Sequence, residues 1–133
     1  MKNKLLIFGA LLILLLSGCS SPTAKQHGSG ISIKMTDSLN VKHITLTKYV
    51  GGIEVESSNV INADNSSFEK GDVTWFDMPV SSTNKTVEIA ISYSENIDGT
   101  YAKTTPKLDI SNADTWVNVN FTDNYELQLI ESD

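Results

Sequence analysis

Side chains able to do chemistry are few in this chain and lie far apart. There are two histidines, His27 and His43, and one cysteine, Cys19. Nucleophilic hydrolysis needs a Ser, Cys or Thr beside a His that a carboxylate orients. Only His43 falls in the patterned part of the chain, where it reads as a polar residue at a strand start. Glycoside hydrolysis needs two carboxylates at a set separation. With 16 acidic residues some close pair is inevitable, and Glu54 and Glu56 read as a solvated strand face. A calcium loop would place Asp or Asn at alternate positions ahead of a Gly. Residues 62–72 and 95–100 hold acids and amides without that spacing. Two His and one Cys do not build the common zinc sites, so no metal or cofactor is the expectation, with a structural Ca²⁺ at those loops as the lesser alternative.

Binding chemistry has one candidate. Trp116, Asn118 and Asn120 share the parity opposite to Val117, Val119 and Phe121. On a strand these three face away from the core. An indole stacks on the apolar face of a pyranose, and amides bond its hydroxyls. The plainer expectation is that Trp116 covers a sheet edge and the amides meet water. Charge narrows the partners. The 10 basic residues are all Lys, against 16 acids, for a formal net charge of −6. Nucleic-acid binding draws its affinity from cationic contacts to phosphate, so no nucleic-acid partner is expected. Without Arg there is no guanidinium clamp for a carboxylate or phosphate ligand. The expected partner is neutral, cationic or protein, such as a surface protein or a glycan.

The amino end is an address. Lys2 and Lys4 precede an apolar run over residues 5–16, too short to span a bilayer and suited to a signal-peptide core. Leu16-Ser17-Gly18-Cys19 follows. This resembles the lipobox of bacterial membrane lipoproteins. The resemblance implies a diacylglycerol on Cys19 and cleavage between Gly18 and Cys19. It also implies membrane attachment through that lipid, on the extracytoplasmic face. One acyl chain holds only marginally at about 0.8 kcal/mol per buried methylene, whereas two or three hold stably. Losing Lys2 and Lys4 would leave eight bases against 16 acids, a formal −8 that anionic headgroups repel. The apolar octapeptide at 11–18 also resembles pheromone peptides cut from enterococcal lipoprotein signals. The organisation expected is a signal peptide at 1–18, the lipidated Cys with a flexible polar tether at 19–30, and one domain at 31–133.

From Ile31 onward the apolar residues alternate and no helical period appears. Ile31, Ile33 and Met35 form one run. Ile44, Leu46 and Val50 form another, with Lys48 in phase, and Ile53 and Val55 follow. Val87, Ile89, Ile91 and Tyr93 are the cleanest set. Leu108 and Ile110 lead to Val117, Val119 and Phe121, then to Tyr125, Leu127 and Leu129. Gly51 and Gly52 as a two-residue loop would pair Val50 with Ile53 and Lys48 with Val55. Asp98-Gly99, a strong turn signal, would pair Ile89 with Leu108 and Val87 with Ile110. A three-residue loop at 122–124 would pair Phe121 with Tyr125, and predicts a positive φ at Asn124. The parity change at Trp75-Phe76 predicts a β-bulge or a crossing between sheets. Pro106, opposite Ile91 in this register, marks an edge.

Seven to eight short strands without a helix predict an all-β, antiparallel β-sandwich, with a small barrel as the alternative. Its architecture resembles the immunoglobulin-like modules of bacterial surfaces. The functional expectation is a tethered, non-enzymatic binding or accessory module. A glycan-binding face around Trp116, a signal-derived pheromone and a carboxylate-based hydrolase are the alternatives.

Overall fold

The computed structural model describes residues 28–82 and 84–133. The lipobox, Gly18, Cys19 and the octapeptide lie outside the described residues. Nine strands form, and no helix occurs among the described residues. They are β1 (Gly30–Met35), β2 (His43–Val50), β3 (Ile53–Ile61), β4 (Val73–Phe76), β5 (Val87–Ser94), β6 (Lys103–Thr104), β7 (Leu108–Asp109), β8 (Trp116–Phe121) and β9 (Leu127–Ser132). One sheet runs β4-β1-β8-β9. The other runs β3-β2-β5-β6, with β7 also on β5. All pairings are antiparallel except β1 with β8, which brings two distant parts of the chain together in parallel.

The fold is a β-sandwich, and the alternating residues build its core. Ile31, Ile33 and Met35 of β1 face inward beside Val117, Val119 and Phe121 of β8. Ile44 and Leu46 of β2 and Val87, Ile89 and Ile91 of β5 form the opposing layer. Fully burying such a side chain contributes about 1.5–3 kcal/mol, enough to hold the register against a one-residue slip. Lys48 follows the inward phase and is 8% exposed. Its ammonium donates to the Pro79 carbonyl and lies 3.4 Å from Glu56 Oε2, so the inward lysine is paired.

Several expected registers shift for local reasons. Val50 pairs with Ile53 across Gly51 and Gly52, both at positive φ as a type I′ loop requires. Lys48 then faces Glu56, not Val55, because a bulge intervenes after Lys48. Ile89 pairs with Leu108 as expected, and Ile110 N–H donates to Val87 O. Beyond Pro106 the register slips, so that Ser92 faces Thr104. Pro106 has no N–H to donate; instead Thr105 N–H donates to Ile91 O, and Thr105 Oγ1 accepts from Ile91 N–H. This break divides one expected strand into β6 and β7, which raises the count to nine.

The last hairpin has the expected loop length, placed one residue later. Thr122 N–H donates to Glu126 O, so the loop is 123–125, and the left-handed residue is Tyr125 (φ 59), not Asn124. Phe121 therefore pairs with Leu127 and Val119 with Leu129. No bulge occurs at Trp75-Phe76. β4 pairs regularly with β1, Ile31 opposite Phe76 and Lys34 opposite Val73. Phe76 faces the core, while Val73 and Trp75 face outward, and the chain crosses to the other sheet only after β4 ends. Ile53 and Val55 do not join a buried face. They lie on β3, an edge strand whose residues are almost all exposed, and Ile53 is 71% exposed.

Candidate functional site

The outer face of the β4-β1-β8-β9 sheet carries the most organised set of polar and aromatic side chains. Register aligns them. Ser32 of β1 lies opposite Trp75 of β4 on one side and Asn118 of β8 on the other, and Asn118 lies opposite Glu131 of β9. Neighbours across a ladder share a face, so these four form one row across all four strands. The row is hydrogen-bonded. Ser32 Oγ donates to Asn118 Oδ1, and Asn118 Nδ2 donates to Glu131 Oε1 at 2.7 Å.

Trp75 walls one end of this row, and Gly30 makes room for it. A Cβ on Gly30 would sit 2.3 Å from a carbon of the Trp75 ring and 2.7 Å from the Phe76 carbonyl oxygen. The indole therefore lies against bare backbone. Its Nε1 donates to Asp77 Oδ1 at 2.7 Å, which fixes the ring plane. Val73, Lys34 and Ile130 border the row along the strands, and together with it they line an open groove of ≈ 320 Å³. Ile130 stands out because a bulge between Asn118 and Val119 leaves it unmatched on β9. An indole wall beside a line of hydroxyl, amide and carboxylate is suited to a flat ligand with one apolar face and polar edges.

Of the three expected binding residues, only Asn118 lines this groove. Trp116 is half-buried at the level of Gly30, and Asn120 lies beside Lys34 and Thr36 in a separate shallow depression. The aromatic that lines the groove is Trp75. Its signal was present in the sequence, in the outward parity of Val73 and Trp75 against Phe76. Ser32, Lys34 and Glu131 carried no signal of their own, because their relevance comes from strand neighbours far away in sequence.

The other candidates resolve into structural roles. Ser94 lies opposite His43 across the ladder and Asp98 is near, but no nucleophile–base bond joins them. Ser94 is 3% exposed, and its hydroxyl donates to Thr100 O at 2.6 Å. The His43 ring lies over Gly99, with Asn59 Nδ2 at 3.4 Å from its Nε2. The bulge after Lys48 sends Glu54 and Glu56 to different faces, so they are not the single solvated face expected. Asp64, Asp98 and Asp109 each accept the N–H and the hydroxyl of the residue two positions on, Ser66, Thr100 and Ser111. These turn bonds hold all three carboxyls below the ordinary carboxylate range. Among the described residues, no three His, Cys, Asp or Glu side chains converge as a metal site would require. Nor is any helix there long and apolar enough to cross a membrane.

Comparison with known proteins places the chain beside none. No protein-family model, no curated protein and no solved structure matches it.

Proposed function

We propose that this protein is a lipid-anchored, non-enzymatic binding module of the extracytoplasmic membrane face. Its contact surface is the outer face of the β4-β1-β8-β9 sheet, and its ligand is a glycan. The observation that carries the reading is the row Trp75–Ser32–Asn118–Glu131, an aromatic wall leading into a hydrogen-bonded polar line. Stacking on an indole needs no charge on the ligand, and the chain's net charge of −6 disfavours an anionic one. The lipobox resemblance supplies the anchor. Cys19 would hold the lipid, and the polar tether would let the domain stand away from the bilayer.

Two experiments test this. Replacing Cys19 with Ala should move the protein from the membrane fraction to the soluble one and abolish fatty-acid labelling. Unchanged membrane association and labelling would end the anchor. Trp75→Ala and Asn118→Ala should each weaken retention of the full-length protein on purified cell-wall glycan, by about tenfold for Trp75. Retention equal to that of the parent protein, with folding verified by circular dichroism, would end the glycan face.

A further inference from the structure

A second aromatic site lies at the end of the sandwich, built from loops. The Tyr93 and Tyr125 rings stack with centroids 4.9 Å apart and planes 13° apart, and Phe121 tilts against Tyr93 at 5.4 Å. Tyr101 lines the same pocket, which holds ≈ 310 Å³, near the low end of ligand-pocket sizes of about 300–1,000 Å³. Asn40, Asn96, Glu95 and Lys103 complete the rim.

Backbone geometry singles this pocket out. Four non-glycine residues among those described have positive φ. Two are asparagines, which tolerate it, and two are tyrosines, Tyr101 (φ 56) and Tyr125 (φ 59). Both tyrosines line this pocket. Tyr125 has a compensation inside the fold, since its ring stacks on Tyr93 and packs edge-on to Phe121. Tyr101 has none of that kind, because it is 93% exposed. The loop nevertheless holds it in place. The Thr100 carbonyl accepts from Ser94 Oγ at 2.6 Å and Asn96 Nδ2 at 3.2 Å. The Thr100 N–H and hydroxyl both donate to Asp98 Oδ1. Four hydrogen bonds thus fix Thr100, and the tyrosine that follows it takes a backbone conformation that glycine would adopt without strain. The backbone that carries the exposed Tyr101 ring is thus ordered, which lowers the entropy cost of using that ring as a contact.

We infer that the Tyr101–Tyr125 pocket is a second binding site, and that it takes a neutral pyranose saccharide between the Tyr101 ring and the stacked pair. The rim carries one carboxylate, Glu95, and one ammonium, Lys103, so it offers no net charge that would select an ion of either sign. Amides supply the polar contacts. The Asn40 carbonyl accepts from Ser67 and the Asn96 nitrogen donates to Thr100. The Asn40 nitrogen and the Asn96 oxygen are left to meet sugar hydroxyls. The site rests on the glycan reading above only for its ligand class, since it shares no residue with the Trp75 groove.

The test is NMR titration of the full chain in detergent, reading the tyrosine ring signals. The probes are cellotetraose and chitotetraose, with glucosamine and glucuronate as charged comparisons. The neutral tetrasaccharides should shift Tyr93, Tyr101 and Tyr125. Tyr101→Gly should raise their dissociation constants about tenfold while keeping or raising the melting temperature. Trp75→Ala should leave these ring shifts intact. The inference is overturned if neither neutral probe moves the ring signals. It is equally overturned if Tyr101→Gly binds like the parent, or if a charged sugar binds more tightly. Loss of the shifts in Trp75→Ala would make the two sites one and also overturn it. Pocket shifts that persist while Trp75→Ala leaves wall-glycan retention unchanged would reject only the sheet-face reading.

Discussion

The groove of Trp75 and the pocket of Tyr101 are both aromatic, and they are made in opposite ways. The groove stands on strands. Its four-residue row is set by register, and its special demands are the missing side chain at Gly30 and the bulge beside Asn118 that turns Ile130 outward. The pocket stands on loops, and two of its three tyrosines hold left-handed backbone. Strain is therefore confined to the loop end, where local hydrogen bonds at Thr100 and ring stacking at Tyr125 offset it. The difference teaches that one sandwich can present one contact face that costs little and another that is held in place against local preference.

The largest effect should come from breaking the strand-built side. Gly30→Ala forces the indole off the backbone or spreads β1 from β4. A loss of about 1–3 kcal/mol is expected in urea unfolding, with a shift in tryptophan emission. A Gly30→Ala protein with parent stability and emission would show that the indole does not depend on that gap.

A smaller pair of substitutions separates the two left-handed tyrosines. Tyr101→Gly removes strain and little packing, so it should stabilise by about 0.5–1 kcal/mol. Tyr125→Gly removes the same strain together with the stacked ring, so it should be neutral or destabilising by up to about 1 kcal/mol. Opposite signs in thermal melts would sharpen the contrast. Equal and negative changes would show that Tyr101 packs against the fold after all.

Asp98→Ala reaches the pocket indirectly. It frees the Thr100 N–H and hydroxyl, so the Thr100 amide should exchange with solvent faster. The Ser32 and Asn118 amides on the sheet should be unaffected. Uniform acceleration at all three positions would mean that the turn supports the whole sandwich and not the pocket alone.

The smallest effect is that of pH, and it has two ends. Hydrogen bonds from Ser66, Thr100 and Ser111 depress Asp64, Asp98 and Asp109 below the ordinary value of 3.8. Their contribution is present above that value and is lost as pH falls through the lower folded values. Burial, then the neighbouring Tyr125, raises the Tyr93 phenol above 10.0. Its contribution is full below 10.0 and is lost as pH rises through the higher folded value. Unfolding midpoints should therefore decline slightly at both extremes, and the alkaline decline should be smaller in Tyr93→Phe.

Alternation was enough to read the class of fold and most of the core. Ile31, Val87, Val117 and their in-phase neighbours are inward as their period implies, and even Lys48 keeps the phase. The failures lie where a single residue is inserted or withheld. The bulge after Lys48 separates Glu54 from Glu56, Pro106 slips one hairpin, and the last loop starts one residue late. Each is a local event of a kcal/mol or so, decided by packing on both flanks and not by residue preference. Asn would suit the left-handed position better than Tyr. The position falls on Tyr125 because that register pairs Phe121 with Leu127 and stacks Tyr125 on Tyr93.

The sequence by itself determined an all-β chain, an inward set of residues, a negative charge without guanidinium groups, and the outward parity of Asn118. Those properties depend on residue type and on a period of two, both of which are local. Only the tertiary structure decided that β1 lies between β4 and β8, which places Trp75, Ser32, Asn118 and Glu131 in one row. It alone decided that the loops at 122–126 and 95–102 meet around three tyrosines. Strand order and loop packing depend on contacts between residues distant in the chain, and a local period carries no information about which strands become neighbours.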